Sequence, residues 1–129
     1  MCGARWGGVA FDHHKLDVYR RSLELLETCD EVVNHLPPGR AHLRDQMDRA
    51  ASSIVANIAE GAGEFSRKEK ARFYRMARRS AIEQAAWLEI IARRHEAPEP
   101  MLTRALQQGQ DVVSMLVKLI RSCERSDPR

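Results

Sequence analysis

The sequence predicts an all-α fold, an antiparallel up-down-up-down four-helix bundle. Apolar residues recur every three or four positions in four segments, which is the period of an amphipathic helix. No segment of the sequence alternates apolar and polar residues as a half-buried strand does. The breaks between the four segments are short and rich in Pro and Gly, and short connections force long neighbouring helices to run antiparallel.

The first two helices are predicted over about 14–36 and 41–61. The first ends before Pro37-Pro38-Gly39, because proline lacks a backbone donor and clashes with the preceding turn. The second carries a near-heptad apolar seam formed by Leu43, Met47, Ala50, Ile54 and Ile58. Gly61 and Gly63 follow the seam, and we expect them to end the helix in the left-handed conformation.

The third and fourth helices are predicted over about 66–95 and 99–124. Ser66 and Glu69 form a capping-box pattern at the start of the third, in which each side chain bonds the other residue's amide. The side of the third helix that is predicted to face the core comprises Phe73, Met76, Ala77, Ser80, Gln84, Trp87, Leu88 and Ile91. We expect residues 1–12 to form a flexible tail and residues 13–125 to form the bundle.

The composition is that of one globular domain of 129 residues, with 43% apolar and 30% charged residues. No stretch approaches the roughly 20 apolar residues of a membrane helix, and no secretory signal is visible. The three cysteines, Cys2, Cys29 and Cys123, are odd in number and lack short spacings, which argues against a disulfide framework or a zinc knuckle. A reducing cytoplasm is the expected location.

A polar stripe accompanies the apolar seam of the second helix. Ser53, Asn57 and Glu60 lie on it, and Ser80 and Glu83 of the third helix are expected to face it. A carboxylate in the last turn of a helix opposes the helix dipole, so Glu60 is expected to have a cationic partner on the third helix or on another chain. The alternative is a solvated flank without a specific role.

A basic stripe lies on the third helix and is the strongest indication of a binding function. Lys68, Arg72, Arg75 and Arg79 share one face at i, i+4, i+7 and i+11, with Arg78 to one side. Such a row is commensurate with several backbone phosphates and predicts binding of RNA or DNA through charge and shape. The competing interpretation is a solvated helix face.

Catalytic and metal-binding signals are weak. The sequence has no Gly-rich phosphate loop, nucleophile elbow or paired-cysteine motif, so neither metal nor cofactor is expected. The adjacent rings of His13 and His14 are expected to diverge. Glu60 and Glu83 are the only candidate acid-base pair, a minor hypothesis since no nucleophile or cofactor motif accompanies them.

Several segments resemble the bacterial four-helix-bundle family encoded by intervening sequences of 23S ribosomal RNA genes, which includes the accessory variability proteins of diversity-generating retroelements. The resemblance covers about residues 11–123. The segments that carry it are Leu16–Tyr19, Leu36–Pro38, Leu43–Ile54, the run on to Gly61, and Ala77–Glu83. At Arg79 the family usually has glycine.

This resemblance implies a homo-oligomer, most simply a pentameric ring. For the retroelement members it also implies nucleic-acid binding and partnership with a reverse transcriptase. We therefore expect a non-catalytic, homo-oligomeric accessory protein that binds nucleic acid through Lys68, Arg72, Arg75, Arg78 and Arg79. The alternative is a protein–protein scaffold that does not bind nucleic acid.

Overall fold

Four α-helices make up the bundle in the computed structural model, which describes residues 6–125. They are α1 (Asp17–Asn34), α2 (Ala41–Gly63), α3 (Arg67–Arg93) and α4 (Glu99–Glu124), and a 3-10 turn at Asp12–Lys15 precedes α1. Each helix packs against the previous and the next, and α1 closes the bundle against α4. The described residues contain no strand, and the predicted up-down-up-down fold is confirmed.

The bundle has two different ends. The loop end carries the connections at 35–40 and 94–98, while the turn end carries the α2–α3 turn at 64–66, the 3-10 turn and the last turn of α4. At the loop end, Arg40 Nε lies 3.0 Å from both carboxylate oxygens of Glu96 and so ties the two connections together. These hydrogen bonds from Arg40 lower the pKa of Glu96.

The core is aliphatic and is built from all four helices. Its largest fully buried side chains are Leu25, Met47, Ile54, Ile58, Leu88, Ile91 and Leu116. On α3 the predicted inward side is partly wrong, because Tyr74 is buried whereas Met76 is 38% exposed and Phe73 is half-buried. Tyr74 takes the inward position because the adjacent Gly61 leaves room for its ring.

The glycines at the end of α2 do not have the predicted left-handed conformation. Positive φ angles occur at Gly39 and His95 of the loop end, and at Gly7 and Gly8, whereas Gly61 and Gly63 are helical. The last carbonyls of α2 are satisfied by Lys70, whose Nζ donates to Gly61 O and Ala62 O at 3.3 and 2.9 Å. A lysine of the next helix therefore caps α2 where the sequence predicted a glycine cap.

The starts of α1 and α3 also differ in detail from the predicted starts. Residues 12–15 form a separate 3-10 turn, so α1 begins at Asp17. At α3, Ser66 Oγ accepts from Glu69 N at 3.0 Å, as predicted. The Glu69 carboxylate does not complete the capping box, because it accepts from Arg72 Nε at 3.1 Å.

Two of the three cysteines lie in the described part of the chain. Cys29 is buried, and this burial raises the pKa of its thiol to about 12. Cys123 is half-buried, and Cys2 lies outside the described residues, as do residues 1–5 of the predicted tail. Within residues 6–125, no helix is at once long and apolar enough to cross a membrane.

Candidate functional site

The polar stripe of α2 joins α2 to α3 at one point. Ser53 Oγ and Ser80 Oγ lie 2.9 Å apart and share a hydrogen bond. Asn57 Nδ2 donates to Ser53 O at 2.9 Å and to Ser53 Oγ at 3.0 Å. Because Ser53 accepts from Asn57, its own proton is available for Ser80, and the three side chains form one short chain of hydrogen bonds across the helix pair.

A polar notch of about 380 Å³ lies beside this contact, and the hydroxyl groups of Ser53 and Ser80 line it. Arg49 and Glu83 bring one charge of each sign to the same notch. The Glu83 carboxylate accepts from Trp87 Nε1 at 3.1 Å, which orients it along its own helix. The notch therefore presents hydroxyl groups together with a guanidinium and a carboxylate.

Glu60 lies apart from this notch. Its side chain is exposed, and no arginine of α3 is within ion-pair distance of it, so the expected partner on α3 is not found. It lines a second depression of about 500 Å³, here called the α2 groove, between the N-terminal segment and the outer face of α2. The α2 groove is lined by Phe11, Asp12, His13, Ala56, Ala59, Glu60, Gly63 and Glu64. The candidate acid-base pair of Glu60 and Glu83 is thus divided between two depressions.

A small aromatic cluster holds the N-terminal segment in place. The ring centroids of His13 and His14 lie 4.6 Å apart, and that of Tyr19 lies 4.5 Å from His13, so the prediction of diverging rings is wrong. Phe11 N donates to His14 Nδ1 at 3.0 Å. Burial and the neighbouring His14 lower the pKa of His13. Among the described residues, no group of three or more His, Cys, Asp or Glu is arranged to hold a metal ion.

The basic stripe of α3 is exposed along its length, but its members differ in their surroundings. Arg72 pairs with Glu69, and its guanidinium carbon lies 4.6 Å from the centroid of the Phe73 ring. Arg75 forms an ion pair with Glu124 of α4. Lys68, Arg78 and Arg79 are exposed and form no ion pair or hydrogen bond within residues 6–125. These last three cations are available to an external anion without the loss of an internal contact.

Two features of these surfaces were missed in the sequence. The first is the close approach of Gly61 to the ring of Tyr74, which explains the glycine of the Asn57–Gly61 run by packing. The second is the complete exposure of Phe65 at the turn end. The only signal in the sequence for the exposure of Phe65 was its position in a predicted turn, after Gly61 and Gly63 and directly before the capping Ser66.

The fold and these surfaces define a small antiparallel four-helix bundle with a basic face on α3 and a groove floored by small residues on α2. Residues 14–118 match the model of a family described as 23S rRNA-intervening sequence protein. The chain belongs to this family, as the resemblance of its sequence motifs predicted.

A solved structure gives the same fold. It is a protein of unknown function from the S23 ribosomal protein family of Bacteroides thetaiotaomicron, 23% identical, with a TM-score of 0.74. The match covers 81% of this chain and 98% of that chain. No curated protein sequence matches this chain significantly.

Proposed function

We propose that this protein is a non-catalytic, homo-oligomeric accessory factor that binds RNA or DNA through the basic face of α3. The observation that carries the proposal is the set of three exposed cations, Lys68, Arg78 and Arg79, which have no partner within residues 6–125. Unpaired arginine and lysine side chains gain most from phosphate contacts, since binding releases condensed counterions from the nucleic acid.

The paired cations of the same helix have a secondary part in this proposal. Arg72 and Arg75 must exchange or share their carboxylates, Glu69 and Glu124, to contact phosphate. All four of these side chains are about half exposed, so the exchange costs little. We therefore rank Lys68, Arg78 and Arg79 as primary contacts and Arg72 and Arg75 as supporting contacts.

The chemistry of the surface favours binding without base specificity. Phe73 is stacked under Arg72 and Trp87 is bonded to Glu83, so neither ring is presented as a free platform for a base. The description of the family refers to 23S ribosomal RNA, and that of the structural relative refers to a ribosomal protein family, which is in keeping with a nucleic-acid partner. A pentameric ring would repeat the basic face, and a reverse transcriptase is a candidate protein partner.

The test is a titration of labelled single-stranded and duplex RNA and DNA with the full chain, followed by fluorescence anisotropy. We expect binding at about 50 mM salt that weakens with a steep log–log slope as salt rises. The triple variant Lys68→Gln, Arg78→Gln, Arg79→Gln should weaken binding at least tenfold and make the slope shallower by about two to three units.

A matched control removes the same charge from another helix. Arg104→Gln, Lys118→Gln, Arg121→Gln changes three exposed cations of α4 and should leave affinity within about twofold, apart from a general effect of net charge. Binding that is absent at low salt, or equally weakened by the two triple variants, contradicts a specific role for α3.

The second candidate function is a scaffold that assembles with itself and other proteins but binds no nucleic acid. It is favoured by one observation, the exposure of large apolar side chains at the turn end, since such patches mark protein-protein contacts. An oligomer that fails to bind any of the four nucleic acids would select this function.

A further inference from the structure

Phe65 is the most exposed large apolar residue of the described chain. It stands in the tight turn between α2 and α3, and its relative exposure is 102%. Val9 and Phe11, at 52% and 61%, are exposed just before the 3-10 turn. The turn end thus presents apolar side chains to water, and a concentration of this kind marks a contact surface.

The α2 groove at the same end has a floor without bulky side chains. Ala56, Ala59 and Gly63 form this floor at a spacing that places them on one face of α2. A Cβ built on Gly63 would meet nothing within 4 Å, so the space above the floor is open. Phe11 and His13 form the opposite wall. A groove of about 500 Å³ with an aromatic wall has room for a phenyl ring.

The ring of Phe65 does not occupy the α2 groove of its own chain, because it is fully exposed. The α2 groove is acidic, whereas α3 begins with two cations. Asp12, Glu60 and Glu64 line the α2 groove and form no ion pair within residues 6–125, and Glu64 directly precedes Phe65. On the other side of Phe65, Arg67 and Lys68 follow after Ser66. The turn of one copy therefore complements the groove of another in both shape and charge.

We propose that Phe65 of one copy inserts into the α2 groove of a second copy, with the first turn of α3 beside the carboxylates of the groove. This inference rests on the self-association proposed above and adds the surfaces that meet. Turn and groove are different surfaces, so the contact is heterologous and repeats head to tail until a ring closes. Arg72, Arg75, Arg78 and Arg79 lie farther along α3 and are outside the contact.

The test is the mass of the full chain in solution, measured by light scattering over a range of concentrations. Two single variants remove one side of the contact each. Phe65→Asp removes the inserted ring and Ala56→Trp fills the groove at an exposed helical position. We expect an oligomer for the unchanged chain and single chains for each variant, with assembly weakened at least tenfold. Circular dichroism should show that both variants keep their helices.

Mixing the two variants gives the sharpest result. The groove of the Phe65→Asp chain and the turn of the Ala56→Trp chain are both intact, so the mixture should form a complex of two chains and no larger species. The control, Ile82→Asp, places an acid at an exposed apolar position of α3 that is 47% exposed and should leave the mass of the oligomer unchanged.

The outcomes separate this inference from the proposal on which it rests. A single-chain mass for the unchanged protein at every concentration would overturn both. An oligomer that Phe65→Asp leaves intact, or that Ile82→Asp dissociates while Phe65→Asp does not, would overturn the contact and leave self-association standing.

Discussion

Gly61 of α2 lies against the aromatic ring of Tyr74 of α3. A Cβ at residue 61 would be 2.6 Å from Tyr74 Cε1 and 3.2 Å from Phe73 Cβ, far closer than van der Waals contact. Tyr74 is 3% exposed, and its burial raises the pKa of its hydroxyl to about 12. The glycine thus sets the separation of α2 and α3 near the turn end.

Gly61→Ala should destabilise the bundle, because the new methyl group must push Tyr74 or the α2 backbone aside. We expect the free energy of unfolding in urea to fall by about 1–2 kcal/mol, although alanine is the better helix former. Gly109→Ala is the control, since a Cβ there meets nothing within 4 Å, and it should raise stability by up to about 1 kcal/mol. Equal effects of the two substitutions would show that residue 61 has no packing constraint.

His95→Gly should stabilise the protein. His95 has a φ of 56°, and the bonds from Glu96 N to Ile91 O and from His95 N to Ala92 O form a Schellman motif that favours glycine at this position. The left-handed conformation costs a non-glycine residue about 1 kcal/mol. We therefore expect the free energy of unfolding, measured by thermal denaturation, to rise by about 0.5–1 kcal/mol. Arg94→Gly, one residue earlier in right-handed helical geometry, should instead lower stability.

The contributions of Glu96 and Asp30 to the stability of the fold should depend on pH in opposite directions. The hydrogen bonds from Arg40 lower the pKa of Glu96. The ionised Glu96 carboxylate therefore stabilises the fold above the unfolded pKa of about 4.3, and this stabilisation is lost as pH falls through the lower native pKa. Burial, Asp48 and Glu27 raise the pKa of Asp30, so that residue destabilises the fold as pH rises above about 3.9 through the native pKa. At pH 7, Glu96→Gln should lower and Asp30→Asn should raise the melting temperature.

Both differences should disappear in strong acid, where each carboxyl group is protonated in the native and unfolded states. Melting curves from pH 2 to pH 8 would check this. A difference of the same sign for the two substitutions would contradict the assigned environments.

Gln84→Met should stabilise the core. Gln84 is 1% exposed, and its Nε2 donates to Met47 O at 3.3 Å, while its Oε1 has no hydrogen-bond partner among residues 6–125. An unsatisfied buried acceptor costs about 1–3 kcal/mol, and methionine fills a similar volume. We expect chemical denaturation to report a gain of about 1 kcal/mol. Gln84→Ala is the comparison, because its cavity should lower stability by about 2 kcal/mol or more.

The bundle was predictable because its signals are local. Apolar periodicity marks the four helices, Pro37-Pro38 and Pro98 separate them, and Ser66 marks the start of α3. These features depend on local backbone preferences and on the apolar period of each helix, and both can be read from one sequence. The rotation of α3 about its own axis was less predictable. Tyr74 is buried and Met76 is exposed because Gly61, on another helix, leaves room for the Tyr74 ring.

The candidate surfaces were predictable in composition but not in pairing. The sequence places Lys68, Arg78 and Arg79 on one helix, yet only the structure separates them from Arg72 and Arg75, whose partners Glu69 and Glu124 depend on the neighbouring turn and helix. Glu60 was expected to meet a cation of α3 or of another chain; within the chain, Lys70 of α3 turns back to the carbonyls of Gly61 and Ala62. Such competition between partners is decided by tertiary geometry.

An even number of helices brings the beginning of α1 and the final residue of α4 to one side of the bundle. Arg67 Nη1 donates to Arg125 O at 3.1 Å, and the 3-10 turn lies against α2, so the first and last helical turns of the described residues both lie at the end that carries Phe65 and the α2 groove. A label inserted at Gly39 would project from the far side. Fluorophores or affinity handles intended for assembly assays belong there.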